Sequence, residues 1–505
     1  MTKPIALTVA GSDTCGGAGI QADLKTMHAL GVHGCSVIAA LTAQNTIGVT
    51  RIEYPSEVML RAQFAAIRKD IHSSAVKIGM LGTESVVRTT AEYLRGFGGY
   101  VLCDPVMVSS TGQNLLEERA RATLVERLLP LVDLLTPNIP EAETFLGRRI
   151  EDPDGVEKAA DELLDFGVKS VLIKGGHLEG SLCLDYWTDG ARKRWLSGHR
   201  RDVQDAHGTG CTLSSAIVSC RALGLDELDA VVVAKAYVSQ GMRNPMRIGH
   251  GRRLLAHQGW PACPEDMPWI TDTAQAASRL PSFPACETGH LGLYPIVTRK
   301  EMLERLLPLG VETVQVRIKD MQGDALEQEV AESIAYARAY GARLYINDHW
   351  QLALKYGAYG VHLGQDDLEH VDVEALAREG IRLGVSTHSY AELARAWGVR
   401  PTYVALGTLF HTTSKHMDYE PLGLEAFARM RRLVPVPVVA IGGITLERAA
   451  DVFAAGADGC AVVSDISASG DIRARVRGWQ EALQEVHTPA DRPQQGDCSA
   501  PAASH

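Results

Sequence analysis

Residues 313–348 read TVQVRIKDMQGDALEQEVAESIAYARAYGARLYIND. Thr313–Lys319 alternates polar and apolar residues as a strand does, Leu326–Tyr340 has the spacing of an amphipathic helix, and Arg343–Asp348 is strand-like again. The same rhythm extends to both sides. Leu293–Thr298 lies upstream, and Gly360–Gly364, Arg382–Thr387, Tyr403–Thr408, Val436–Gly443 and Gly459–Ser464 lie downstream, which makes eight strand candidates. Helical patterns such as Lys300–Leu307 separate most of them. Eight strand–helix repeats in roughly 200 residues predict a (β/α)8 TIM barrel over 290–486.

The earlier part of the chain alternates differently. Ile5–Gly11, Ser36–Leu41, Ala75–Leu81, Tyr100–Val106, Leu134–Asn138 and Ser170–Gly175 read as buried strands, with amphipathic segments such as Ala18–Leu30 and Arg119–Leu129 between several of them. That pattern predicts a doubly wound α/β domain over 1–260. Residues 261–289 carry five prolines among small and acidic residues and are expected to form a linker. The Pro-, Ala-, Ser- and Gln-rich residues 487–505 are expected to be a disordered tail.

Composition limits the function. The 505 residues carry a formal net charge of −11 and no long basic run, which argues against a nucleic-acid surface. No signal-peptide pattern and no apolar stretch of membrane-spanning length is visible, so the expected location is the cytoplasm. Ten cysteines without a Cys-x-x-Cys pair are expected to be reduced thiols. The expected partners are small molecules, and a homo-oligomer stays open.

In the first domain, polar clusters end successive strands. Gly208-Thr209-Gly210-Cys211 precedes a small-residue helix, so its amides face a helix N-terminus that suits phosphate charge, and Cys211 would sit where the helix favours a thiolate. Asp104 ends one strand, Asn138 and Glu141 follow the next, and Lys174 ends another, at the edge where α/β sheets bind ligands. Together with Gly11-Ser12-Asp13, Gly16–Lys25, Thr42–Thr46 and Asp104–Met107, these residues resemble hydroxymethylpyrimidine/phosphomethylpyrimidine kinase. The resemblance implies a ribokinase-like fold with ATP as co-substrate. It implies that Gln44 pairs with the aminopyrimidine edge and that Gly11, Asp23 and Val106 line the same pocket. Asp104 and Glu141, with Asn138 and Lys174 beside them, would serve the Mg²⁺–ATP phosphates, and Cys211 would be the base. Cys15 stands where the family often has Ser, and Ala206 where Thr is common.

In the second domain, Gln315, Arg317 and Lys319 share one strand face, which is costly inside a barrel mouth unless they hold a ligand. Asn347-Asp348, Gln365–Asp367, Ser386, Thr412–Lys415, Gly442-Gly443 and Val463-Ser464 end the following strands. Asp348 and Asp367 would supply oxygen ligands for Mg²⁺, and Arg317, Lys319 and Lys415 would neutralise a diphosphate. This half resembles thiamine-phosphate synthase. The resemblance implies that Gln315, Val316, Arg317, Ile318, Lys319, Asn347, Ser386 and Lys415 hold a pyrimidine diphosphate. Thr412, Thr413, Ser414, Gly443, Val463 and Ser464 would hold a thiazole phosphate. His411 stands where Pro is frequent, and Ser414, where Thr is frequent, keeps the hydroxyl. The combined expectation is phosphorylation of a hydroxymethylpyrimidine to its diphosphate, then condensation with the thiazole phosphate. The alternatives are a pyridoxal-type kinase fused to a thiazole tautomerase, or a sensor of thiamine intermediates with one inactive half.

Overall fold

The structure, a computed structural model, describes residues 3–108, 112, 114–176, 180–201, 206–412 and 420–486; the expected tail lies outside the described residues. The chain divides into two compact units. One takes the chain up to Pro261 together with Asp266–Ser278, and the other takes Ala262–Glu265 and the chain from Arg279.

The first unit is built on a single large sheet. Its strands are β1 (Ile5–Asp13), β2 (His33–Gln44), β3 (Val49–Glu53), β4 (Ala75–Ile78), β5 (Tyr100–Cys103), β6 (Leu134–Leu135), β7 (Ser170–Ile173), β8 (Leu182–Thr188) and β9 (Lys193–His199). A short parallel pair, β10 (Ala206–His207) and β11 (Arg253–Leu254), stands apart, and β12 (Trp269–Thr271) completes the large sheet. The order is β12-β9-β8-β7-β6-β5-β4-β1-β2-β3. From β2 to β7 the strands run parallel, while β3 and the β8-β9-β12 edge run antiparallel. All four residues of β4 and all four of β7 are buried, as parallel strands covered on both faces require. The chain turns from β1 to β2 on one side and reaches β4 on the other. This switch point places the glycine-rich loop after β1 in the ligand crevice.

Residues 261–289 depart from the expected linker. Trp269, Ile270 and Thr271 pair antiparallel with Ser197, Leu196 and Trp195. Asp266 is buried and accepts from Arg201 at 2.8 Å and Ser239 at 3.0 Å, with Arg243 at 2.9 Å. The prolines flank a strand only three residues long, too short to give a period. The chain beyond it joins the second unit, where Thr402 donates to the Pro284 carbonyl. Eight described cysteines are free thiols, but Cys263 is disulfide-bonded, which corrects the expectation of reduced thiols throughout.

The second unit is a closed barrel of parallel strands: β13 (Gly292–Val297), β14 (Thr313–Val316), β15 (Arg343–Asn347), β16 (Gly360–Leu363), β17 (Arg382–Thr387), β18 (Tyr403–Gly407), β19 (Val438–Ile441) and β20 (Gly459–Val462). Each strand pairs with the next, and β20 returns to β13. Tyr294, Tyr345 and Tyr403 fill the interior. They fit because neighbouring strands carry glycine. A Cβ on Gly360 would lie 2.4 Å from the Tyr345 ring, and one on Gly384 2.2 Å from the Tyr403 ring.

Candidate active sites

The first site lies at the carboxyl ends of β1, β2, β5 and β7. The helix Thr209–Ala222 begins there, after Gly208 at φ 85°. A side chain at Gly208 would place Cβ 1.9 Å from the Gly17 carbonyl, so the two glycine loops touch only because Gly208 lacks a side chain. The first-turn amides of Thr209, Gly210 and Cys211 have no intrahelical acceptor and are available to an anion. Opposite them sit Asp104, Glu141 and Lys174. Lys174 donates to Asp104 at 2.6 Å and lies 3.9 Å from Glu141. Ideal Cβ placement at Gly210 puts both Lys174 Nζ and Asp104 Oδ2 within 4 Å. Burial raises the Glu141 carboxyl to about 7, with Lys174 opposing and Asp104 adding to the rise. Burial alone would lower Lys174, but the two carboxylates outweigh it and the net shift is upward.

Asn138 has a structural task. Its side chain accepts from the Glu141 amide at 2.9 Å while Glu141 accepts from the Asn138 amide at 2.8 Å, a capping box that opens the helix Ile139–Leu146. The Glu141 carboxylate thus serves both the helix cap and the charge cluster.

The other end of the site is assembled from β1 and β2. Asp13 accepts the amides of Cys15, Gly17 and Ala18 at 3.0, 3.0 and 2.8 Å, which shapes the glycine loop. Gln44 Nε2 lies 3.0 Å from His207 Nε2, in a cavity also lined by Asn45, Thr46, Val49 and Arg252. Gly11 and Val106 meet at one apolar wall. A Cβ on Gly11 would approach Met80 Sδ to 3.3 Å, and Val106 packs against Ala40, Met80 and Leu115.

Two expectations change here. Asp23 is fully buried and does not face a pocket: it accepts from Lys77 at 2.9 Å, Thr8 at 2.6 Å and Ser215 at 2.6 Å. Cys211, expected as a lowered thiol, is pushed up to about 11 by burial, although Lys77 and the Gly19 amide pull it down. Desolvation exceeds the helix-end effect. Lys77 went unnoticed in the sequence, because a lone lysine in an apolar strand gives no periodic signal.

The second site lies in the barrel mouth. β14 ends at Val316, so Gln315 is buried inside the barrel, whereas Arg317 and Lys319 project beyond the strand end and are exposed. Gln315 donates to Asn347 at 3.4 Å. Val316 and Ile318, expected among the ligand contacts, alternate to the other side and are buried, so only their main chain is available. Lys319 pairs with Asp348, which holds a left-handed backbone at φ 61°. Asp367 accepts the Gly364 amide at 2.9 Å. Its carboxyl is raised by burial and by Asp348, which is close enough to exchange a hydrogen bond with it. The two carboxylates therefore converge, while Asp366 is exposed.

Ser386 Oγ lies 2.8 Å from His362 Nε2, a contact the sequence did not suggest. Burial lowers His362 to about 4. Gly443, at φ 64°, leaves room that a Cβ would take 2.4 Å from the His411 carbonyl. Val463 and Ser464 are exposed at the end of β20. Thr412 is described, whereas Thr413, Ser414 and Lys415 lie outside the described residues.

Comparison with known proteins covers both units. The family described as Phosphomethylpyrimidine kinase matches residues 13–256, and that described as Thiamine monophosphate synthase matches residues 293–466. A protein of Oryza sativa subsp. japonica named "Probable thiamine biosynthetic bifunctional enzyme, chloroplastic" is 35% identical over 96% of this chain and 89% of its own length. A hydroxymethylpyrimidine/phosphomethylpyrimidine kinase of Rhizobium meliloti is 45% identical over 50% of this chain and 96% of its own. The pyridoxal kinase of Staphylococcus aureus, solved in complex with AMP-PCP and pyridoxal, superposes with a TM-score of 0.50 at 27% identity, covering 54% of this chain and all of that one.

Proposed function

The chain belongs to the thiamine biosynthetic bifunctional enzymes, and from that membership we propose how its residues divide two consecutive reactions. Its first unit is a ribokinase-like hydroxymethylpyrimidine/phosphomethylpyrimidine kinase with ATP as substrate, and its second is a thiamine-phosphate synthase on a TIM barrel. The kinase makes the pyrimidine monophosphate and then the diphosphate. The synthase joins that diphosphate to the thiazole phosphate and releases pyrophosphate.

In the kinase, Gln44 reads the aminopyrimidine edge, since its amide both donates and accepts. Gly11 and Val106 give the ring an apolar wall, while Asp23 is held inside the fold by Lys77, Thr8 and Ser215. The amides of Thr209–Cys211 hold the transferred phosphate. Lys174 takes up phosphate charge, and Asp104 and Glu141 are the oxygen donors that fit a Mg²⁺ carried with ATP. Cys211, partly exposed, first gives its thiol proton to solvent, with Lys77 favouring the thiolate, and then takes the proton of the acceptor hydroxyl. The convergence of Asp104, Glu141 and Lys174 on the first turn after Gly208 is the observation that supports this reading most directly.

In the synthase, Arg317, Lys319 and Lys415 neutralise the diphosphate, Ser386 donates to it, and Gln315, Asn347 and the main chain of Val316 and Ile318 complete the pyrimidine-diphosphate site. Asp348 and Asp367 fit Mg²⁺: two facing carboxylates, one raised by the other, suit a hard cation. When bound, that ion neutralises charge on the departing pyrophosphate. Thr412, Thr413, Ser414, Gly443, Val463 and Ser464 hold the thiazole phosphate by hydroxyls and main-chain amides. The proposed compartment is the cytoplasm. Eight free thiols among the described residues support it. No described helix is long and apolar enough to cross a membrane.

The test is a coupled assay of the full chain with hydroxymethylpyrimidine, ATP, Mg²⁺ and the thiazole phosphate. Thiamine phosphate should form, and should also form from preformed diphosphate without ATP. Failure of the second reaction would reject the barrel assignment, and failure of the first alone would reject the kinase assignment.

A further inference from the structure

A line of four side chains crosses the barrel interior and ends at the second site. Tyr294 Oη and Tyr403 Oη are 2.8 Å apart, Tyr403 Oη and His362 Nδ1 2.7 Å, and His362 Nε2 and Ser386 Oγ 2.8 Å. Tyr294, Tyr403 and His362 are buried, and Ser386 is partly exposed at the end of β17. Among the described residues, the hydroxyls of Tyr294 and Ser386 have no other hydrogen-bond partner.

Each link can run in either direction, and counting protons separates the two arrangements. Suppose His362 carries its proton on Nδ1. It then donates to Tyr403, Tyr403 donates to Tyr294, and the Tyr294 hydroxyl is left inside the barrel with no acceptor. Ser386 would donate inward to Nε2. A buried donor without an acceptor bears its full desolvation cost. Suppose instead the proton is on Nε2. Tyr294 donates to Tyr403, Tyr403 donates to Nδ1, and Nε2–H donates to Ser386 Oγ. Every buried donor is then used, and the Ser386 O–H points away from the relay.

We infer that Tyr294, Tyr403 and His362 are positioning residues that hold His362 as the Nε2–H tautomer and leave Ser386 as a hydrogen-bond donor to the anionic diphosphate. The inference rests on the reading of Ser386 as a diphosphate-binding residue. None of the three need touch the ligand. Their effect is to settle which way one hydroxyl points, so that an anion meets a proton and not a lone pair.

Two measurements on the full chain test it. In ¹⁵N-histidine-labelled protein, with the His362 signals assigned by their loss in His362→Gln, Nε2 should be protonated and Nδ1 bare. The opposite tautomer, or a doubly protonated ring, overturns the relay. Steady-state synthase kinetics then test its consequence. Tyr403→Phe keeps the ring but removes the donor to Nδ1, and should raise KM for the pyrimidine diphosphate roughly tenfold, about one hydrogen bond's worth. Ser386→Ala should do the same, and the double variant should be no worse than Ser386→Ala alone. Multiplying effects in the double variant reject the coupling. An unchanged KM in Ser386→Ala, with the expected tautomer present, rejects the diphosphate role of Ser386 while the tautomer result still stands.

Discussion

At Cys211 two opposing forces act on one thiol. The helix N-terminus and Lys77 favour the thiolate, burial disfavours it, and burial wins with a resting value of about 11. Kinase turnover that depends on this thiolate should rise with pH by about tenfold per unit across the neutral to mildly alkaline range. Cys211→Ser should remove both most of the turnover and its pH dependence, while synthase activity on preformed diphosphate stays unchanged. A flat kinase pH profile in the unaltered enzyme would remove Cys211 from the proton transfer. In the barrel, adjacent acidic residues form an internal control. Asp367 turns toward Asp348 and the Gly364 amide, whereas Asp366 is exposed. Asp367→Asn should therefore cost about a hundredfold or more in synthase kcat, and Asp366→Asn little. Titrating Mg²⁺ should narrow the gap if the defect lies in metal affinity. Equal losses at both positions would overturn the metal assignment.

In the helix Ile139–Leu146 one carboxylate both closes the helix cap and joins the charge cluster. Glu141 closes the capping box with Asn138 and also faces Lys174. The two roles separate by substitution. Glu141→Gln keeps an acceptor for the Asn138 amide and should retain stability while losing ATP turnover. Glu141→Ala loses the cap as well and should destabilise the first unit by about 1 kcal/mol, read by urea unfolding. Equal stability in the two variants would mean the cap contributes nothing. The strand ends teach a related lesson. The expected strands Ala75–Leu81, Tyr100–Val106 and Thr313–Lys319 end early, at Ile78, Cys103 and Val316. Their polar or glycine-containing tails continue the alternation in sequence but have left the ladder, which is why they are free to form sites.

Across the whole molecule, each unit contains a histidine held neutral: desolvation lowers the partly buried His257 in the first unit and the buried His362 in the second to about 4. In the unfolded chain a histidine binds its proton near pH 6.5. Between these values the unfolded chain carries more protons, so stability is full above about pH 6.5 and falls as pH drops toward 4. For His362 the limiting loss is ~3 kcal/mol. Urea unfolding of the barrel at neutral and mildly acid pH should show this, and His362→Gln should flatten the dependence. An equally steep acid loss in that variant would place its origin elsewhere. The sequence by itself determined both fold classes and set polar and glycine residues at the strand ends from which both candidate sites are built. Strand–helix periodicity and glycine-bearing strand ends are local signals that survive without contacts. Only the tertiary structure assigned Trp269–Thr271 to the first sheet, turned Asp23 inward onto Lys77, raised Cys211, and lined up Tyr294, Tyr403, His362 and Ser386. Those outcomes depend on desolvation and on partners far apart in the chain, which no local pattern of residues encodes.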